Sequence, residues 1–237
     1  MLEGHGLLIG NMKGGVGKST ISHYLYEILS IGRKPENMLL IDADTQGSSS
    51  SMLAPRHGWD RIRHMPVGDR YDGSVISTLD GMLRNHLINC DTLALIDTPG
   101  GQIANLWKIA MICRVIIIPT SLSGTDLRST LEFINDLVQR KQDYDTFSPH
   151  ILVVPNRIPP NQRDYSILDE VFRDLDIILA PPLSEMAIVR TASHSNKGLA
   201  DIVGTRYYDE IKTLARFINS HVLSGKLDRM YGPATSN

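Results

Sequence analysis

Eight consecutive residues, Lys13-Gly14-Gly15-Val16-Gly17-Lys18-Ser19-Thr20, concentrate the chemistry of this 237-residue chain. Glycines at 14, 15 and 17 let a backbone curl until several N–H groups point at one anion. The apolar run Leu7–Asn11 stands before the loop as a strand, and a helical pattern over Gly17–Gly32 follows it. A helix starting there aims its positive end at the same anion. A lysine in this setting reaches β- and γ-phosphates, and the hydroxyl after it ligates Mg²⁺. The pattern predicts a phosphate cradle of Gly14, Gly15, Val16 and Gly17, with Lys18 on the phosphates, Ser19 on Mg²⁺ and Thr20 near the α-phosphate. Met12 stands where the strict pattern asks for its first glycine.

Carboxylates follow two further apolar runs. Asp42-Ala43-Asp44-Thr45-Gln46-Gly47 comes after Met38–Ile41, and Asp97-Thr98-Pro99-Gly100-Gly101 comes after Leu93–Ile96. A carboxylate ending a strand faces the ligand crevice, where it holds Mg²⁺ through water or orients an attacking water. Asp97 is placed to accept from Ser19 and from Mg²⁺-bound water, and the Pro-Gly-Gly run behind it suits a loop that senses a terminal phosphate. An aspartate at a strand end also serves as a simple cap, but beside a phosphate loop the ligand reading is the stronger one.

These residues need strand ends to carry them. Short apolar runs alternate with helical patterns: Ile103–Cys113, Asp126–Arg140, a helix near Ile167–Leu175 and a last one over Tyr207–Val222. Val115–Ile118, Ile151–Val154 and Ile177–Leu179 read as further strands, and Thr45–Gly73 as a loop-rich stretch, within which Pro55–Gly73, holding Arg56, Arg61, Arg63 and Arg70, reads equally as a partner or DNA surface and as a flexible excursion. The alternation predicts an α/β fold, a doubly wound, mostly parallel sheet with helices on both faces. A single domain over 1–232 is expected, with 233–237 as a mobile tail.

Composition narrows the class. With 42% hydrophobic and 21% charged residues the chain is neither disordered nor fibrous. A net charge of −2 leaves no global nucleic-acid signature, although residues 190–237 hold seven Lys/Arg against four Asp/Glu. Cys90 and Cys113 read as buried, inert thiols of a reducing compartment. No run approaches the roughly 20 apolar residues of a membrane span, so a cytoplasmic protein is expected.

Lys13 makes the glycine loop distinctive. Lys-Gly-Gly-Val-Gly-Lys-Ser-Thr resembles the deviant Walker A box of the ParA and MinD family of ATPases. The resemblance implies ATP and Mg²⁺ as cofactors and a homodimer formed on ATP binding, with Lys13 reaching the phosphates held by the partner subunit. Against the family's Asp-x-Asp-Pro-Gln-Gly, this chain differs only at Thr45. The resemblance implies that Asp44 polarises the hydrolytic water and Asp42 supports the metal shell. It also places adenine contacts at Asn156, in the Asn156-Arg157 pair, and at Pro181, in Pro181-Pro182, although an Asn at a strand end is often only a turn former.

The segment Ile188–Gly198 resembles a family stretch that reads Arg-x-x-Glu-Ala-Pro-Ser-His-Gly, without its Glu and Pro and with Lys197 inserted. ParA relatives contact nonspecific DNA from here and from just before the last helix. That implies Arg190 and Arg206, with Lys197, Lys212 and Arg216 as neighbours. Ordinary solvated charges explain them equally well. A phosphate loop starting at residue 13 is most like the short ParA class, which works on the nucleoid with a ParB-like adaptor. A MinD-like, membrane-associated regulator and a small-molecule ligase or reductase are the alternatives. Leu214, Phe217, Ile218, Val222 and Leu223 form an apolar stripe without the rich basic face of a membrane-surface helix, so packing on the sheet is expected of them.

Overall fold

The computed structural model describes residues 2–68, 73–101, 107–142, 149–192 and 197–224, the side chains of Arg190 and Ala192 excepted. Seven strands are seen: β1 (His5–Ile9), β2 (Met38–Asp42), β3 (Ile62–His64), β4 (Leu93–Asp97), β5 (Val115–Thr120), β6 (His150–Pro155) and β7 (Ile178–Leu179). They form one sheet in the order β3-β2-β4-β1-β5-β6-β7, and every pairing is parallel. Parallel strands need crossovers that cover both faces, which is why the central ones are apolar throughout rather than alternating.

The crossovers are α1 (Lys18–Ser30), α2 (Ser48–His57), α3 (Gly73–His86), α4 (Trp107–Ile112), α5 (Gly124–Gln142) and α6 (Ser166–Phe172); after β7 come α7 (Ala187–Ala192) and α8 (Arg206–Phe217), the last running into a π-helical stretch, Ile218–Leu223. Strand side chains alternate between two cores. Leu7 and Ile9 join Leu25 of α1, Leu53 of α2 and Leu214 of α8 on one face. Leu8 joins Leu79 of α3, Ile109 of α4, Ile134 of α5 and Leu168 of α6 on the other. Within the C-terminal stripe Leu214, Ile218 and Val222 are buried, and Phe217 and Leu223 pack half-buried against the same core. No described helix is long and apolar enough to cross a membrane.

Several expectations need correcting. The excursion Thr45–Gly73 is not simply loop, since it holds α2 and β3. The four serines open α2 because Asp42 caps it from the preceding strand: its Oδ2 accepts from the Ser50 N–H at 2.8 Å. Buried Met52, Leu53 and Ala54 then outweigh Pro55 inside the helix. No helix is expected from sequence over α3, yet Ile76, Leu79 and Leu83 bury one face of it. The helix expected over 103–113 is seen from Trp107 to Ile112, while 102–106 lie outside the described residues. Cys113 is buried as expected, and burial pushes its thiol well above the usual range. Cys90 is not buried; it lies exposed in the turn before β4. Arg70, Ser193–Asn196 and the tail 233–237 fall outside the described residues.

Candidate nucleotide site

β1 lies inside the sheet between β4 and β5, and the glycine loop grows from its carboxyl end. A cavity of about 740 Å³ opens there, lined among others by Gly14, Gly15, Lys18, Ser19, Asp44 and Gly100. Gly17 adopts φ 96°, and a Cβ on it would fall 2.3 Å from Asn156 Nδ2, so both backbone and space demand glycine. A Cβ on Gly14 or Gly15 would meet nothing within 4 Å, and both residues line the cavity.

Buried side chains fix the loop from behind. Asn11 Nδ2 donates to the Pro119 carbonyl at 2.8 Å and to Thr130 Oγ1 at 2.9 Å, while its Oδ1 accepts from the Lys13 N–H at 3.0 Å. Asn156 Nδ2 donates to the Val16 carbonyl at 2.7 Å. On the far side Gly101 N–H donates to the Met12 carbonyl at 2.8 Å, joining the Pro-Gly-Gly loop to the phosphate loop.

The two lysines occupy different environments. Lys18 is 6% exposed, and its Nζ donates to the Lys13 carbonyl at 3.1 Å. Burial pulls its ammonium below the usual lysine range, against the opposing pull of Asp97 and Asp44. Lys13 stands on the rim with 43% of its side chain exposed, 3.6 Å from Asp126 Oδ1 at the start of α5.

Asp42 and Asp97 are register partners at the ends of neighbouring strands. Both are fully buried, with opposite satisfaction. Asp42 accepts from the Asp44 and Ser50 N–H groups at 3.1 and 2.8 Å. Neither oxygen of Asp97 has a hydrogen-bond partner among the described residues, and nor does the nearby buried Ser49 hydroxyl. Burial and the Asp42 charge push Asp97 up to about 7, and the Ser19, Ser49 and Ser22 hydroxyls offset part of that rise. A buried carboxylate with no partner is costly, and a cation beside Ser19 and Asp97 would remove that cost. Asp44 is half-buried; its Oδ1 accepts from the Gln46 N–H at 2.9 Å, and its carbonyl accepts from His64 Nε2 at 2.9 Å.

Thr20 lines the cavity. Pro181 is half-buried after β7 and does not line it. Asn156 meets the loop from beneath through its amide, a contact that sequence alone does not reveal. Asn11, Asp126 and His64 were also unforeseen, because each acts on a residue far off in sequence. Arg157 adopts φ 57° and lines the cavity.

The basic residues of the C-terminal flank are not drawn into the crevice. Arg206 Nε pairs with Glu210 at 2.7 Å and its Nη1 donates to the Pro160 carbonyl at 3.0 Å. Lys212 Nζ lies 5.6 Å from the Tyr208 ring centroid, Arg216 is exposed, and Lys197 is half-buried. The Arg190 side chain lies outside the described residues.

A parallel sheet with a glycine loop feeding its first helix, a buried lysine and a strand-end carboxylate defines a P-loop nucleotide-binding protein. The chain belongs to the CobQ/CobB/MinD/ParA nucleotide-binding domain family, whose profile matches residues 7–199; the family includes the ParA- and MinD-type ATPases. No curated protein sequence matches it. Among solved structures it is similar to a putative plasmid partition protein from Borrelia burgdorferi B31 bound to AMPPNP (TM-score 0.67, 20% identity, 91% of this chain and 98% of that one). It is also similar to MinD in the MinC:MinD complex of Aquifex aeolicus (TM-score 0.70, 15% identity, 91% and 96%). A third similar structure is the septum site-determining protein MinD with Mg-ADP from Pyrococcus horikoshii OT3 (TM-score 0.63, 18% identity, 94% and 98%).

Proposed function

We propose that this chain is a ParA-type partition ATPase that dimerises on ATP, binds nonspecific DNA in that state, and hydrolyses ATP when a ParB-like adaptor on the cargo engages it. The observation that carries this reading is the pair of lysines. Lys18 is buried beneath the loop, where it serves its own subunit's nucleotide. Lys13 stands exposed on the rim with only a loose ion pair, free to cross to the phosphates of a second subunit.

Lys18 and the amides of Gly14–Gly17 hold the β- and γ-phosphates, and Thr20 supports the α-phosphate. Ser19 and Asp97 hold Mg²⁺. No three acidic, His or Cys side chains among the described residues are grouped to hold an ion alone, as suits an ion shared with substrate phosphates. Mg²⁺ supplies neutralisation of the charge that builds on the leaving phosphate. Asp42 acts one step further out, holding the Asp44 loop and the start of α2. Asp44 orients the hydrolytic water. Asn156, its Nδ2 committed to Val16, keeps Oδ1 for the adenine amino group, with Pro181 bordering the base. Turnover is Mg²⁺-dependent and slow without the adaptor, so hydrolysis times release.

Arg190, Lys197, Arg206, Lys212 and Arg216 give the dimer a basic face for the nucleoid in the cytoplasm. Contacts of that kind ignore sequence and weaken steeply with salt. The likeness to MinD keeps a second reading, a positioning ATPase on a membrane surface, which liposome flotation with ATP separates from the first.

The test is binding to nonspecific duplex DNA with ATP, ADP or no nucleotide, at low and high salt. ATP-dependent, salt-sensitive binding that disappears in Lys13→Ala is expected. Absence of both ATP-driven dimer and DNA binding at low salt would refute the partition reading.

A further inference from the structure

Beyond the strand end at Asp42 and Ala43, which the sheet holds, residues 44–50 are tied by several bonds within the segment 42–50. Gly47 N–H donates to the Asp44 carbonyl at 3.1 Å, closing a β-turn over Asp44-Thr45-Gln46-Gly47. Gln46 N–H donates to Asp44 Oδ1, and the Asp42 carboxylate accepts from Asp44 and Ser50. Among the described residues, one bond reaches the turn from outside residues 42–51. His64, abreast of Asp42 in the β2–β3 register, donates from Nε2 to the Asp44 carbonyl at 2.9 Å. A carbonyl only accepts, so this nitrogen carries the proton. The ring also lies close against the turn: a Cβ on Gly47 would come 3.1 Å from both Cε1 and Nε2.

The second position of such a turn is Thr45. Proline fits there because its fixed φ is the one the turn uses. Threonine leaves that torsion free, and its N–H donates no hydrogen bond among the described residues. The turn therefore lacks stiffness of its own at the residue following Asp44.

We infer that His64 is a positioning residue for hydrolysis, bracing the Asp44 turn from β3 and so supplying the rigidity that Thr45 does not. The inference rests on the ATPase reading of this site, with Asp44 orienting the water. Among the described residues His64 makes no hydrogen bond to the phosphate loop or Lys18 and does not line the cavity, so losing it disturbs the hydrolytic step and leaves ATP capture intact. Alanine lets the Asp44 carboxylate wander from its station. Glutamine can still present an N–H to the carbonyl. Proline at 45 fixes the turn by a different route.

The experiment is single-turnover ATP hydrolysis with Mg²⁺ by the full chain, comparing wild type, His64→Ala, His64→Gln and the double variant His64→Ala/Thr45→Pro, with thermal unfolding of each. His64→Ala is expected to hydrolyse about five-fold more slowly, the effect of one hydrogen bond. Its half-saturating ATP concentration should stay within about two-fold, since uniform binding is untouched. His64→Gln should keep most of the rate, and the double variant should recover it. Wild-type turnover in His64→Ala, or a loss that neither glutamine nor Thr45→Pro repairs, overturns the inference and leaves the ATPase reading standing. A wild-type chain that neither binds nor hydrolyses ATP ends both.

Discussion

The polar side chains around the phosphate loop are held from behind by other elements, whereas the charges of the C-terminal flank are held at the surface, chiefly by side chains of their own helix. Asn11 reaches Thr130 and Asn156 reaches Val16, across 119 and 140 residues. Arg206 pairs with Glu210 one turn away. A site braced by distant, buried partners is preorganised for one geometry; one made of exposed charges adapts to whatever polyanion arrives. The difference teaches that the crevice is committed to chemistry, while the flank can at most be committed to a surface.

The comparison breaks most sharply at Lys18. Lys18→Ala should lower ATP turnover by about a hundredfold or more, the scale for removing one preorganised donor from a charged transition state. Turnover at the wild-type rate, measured by phosphate release, would show that the crevice is not the hydrolytic centre.

Glu27 joins the two regions. It is buried on α1, accepts from Arg56 Nε of α2 at 3.0 Å, and takes the Leu199 N–H beyond the flank segment at 2.5 Å. Burial alone would raise its carboxyl, but the hydrogen bonds from His23 and His57 prevail and hold it well below the usual value of 4.5. Its contribution is therefore full above pH 4.5 and drains away as pH falls further. Glu27→Gln should cost about 3 kcal/mol near neutrality, as for a buried pair that loses one partner. The gap from wild type in thermal unfolding should narrow toward pH 3, and a constant gap would mean that the charge is not what matters.

The smallest effect belongs to the flank. Arg206→Ala should weaken ATP-state DNA binding by about five-fold and lower the slope of log affinity against log salt by about one, as for a single phosphate contact. An unchanged slope would leave Arg206 as a brace for the Pro160 loop and nothing more.

The crevice motifs were legible because the residues of each are contiguous: eight in the phosphate loop, six from Asp42, five from Asp97. The parallel sheet was legible from apolar runs too short and too uniform for surface helices. What escaped depends on partners that spacing does not encode. α2 begins on a serine run and contains a proline, and what makes it a helix is a carboxylate at the end of another strand. His64 is a lone histidine until β3 is laid beside β2. The exposure of Cys90 is set by a turn and not by its apolar neighbours. α3 is a different case: the helical spacing of Ile76, Leu79 and Leu83 was readable in the sequence itself.

The central place of β1 bears on the moment at which this protein can begin to work. During synthesis the glycine loop leaves the ribosome well before β4 and β5, the strands that flank β1. The last brace, Asn156, arrives 140 residues after Val16. At the usual pace of translation that delay is on the order of ten seconds. Until then the nascent chain carries the residues of a phosphate cradle without the frame that shapes them. It cannot hold a nucleotide's phosphates in place before most of its own sheet has been made.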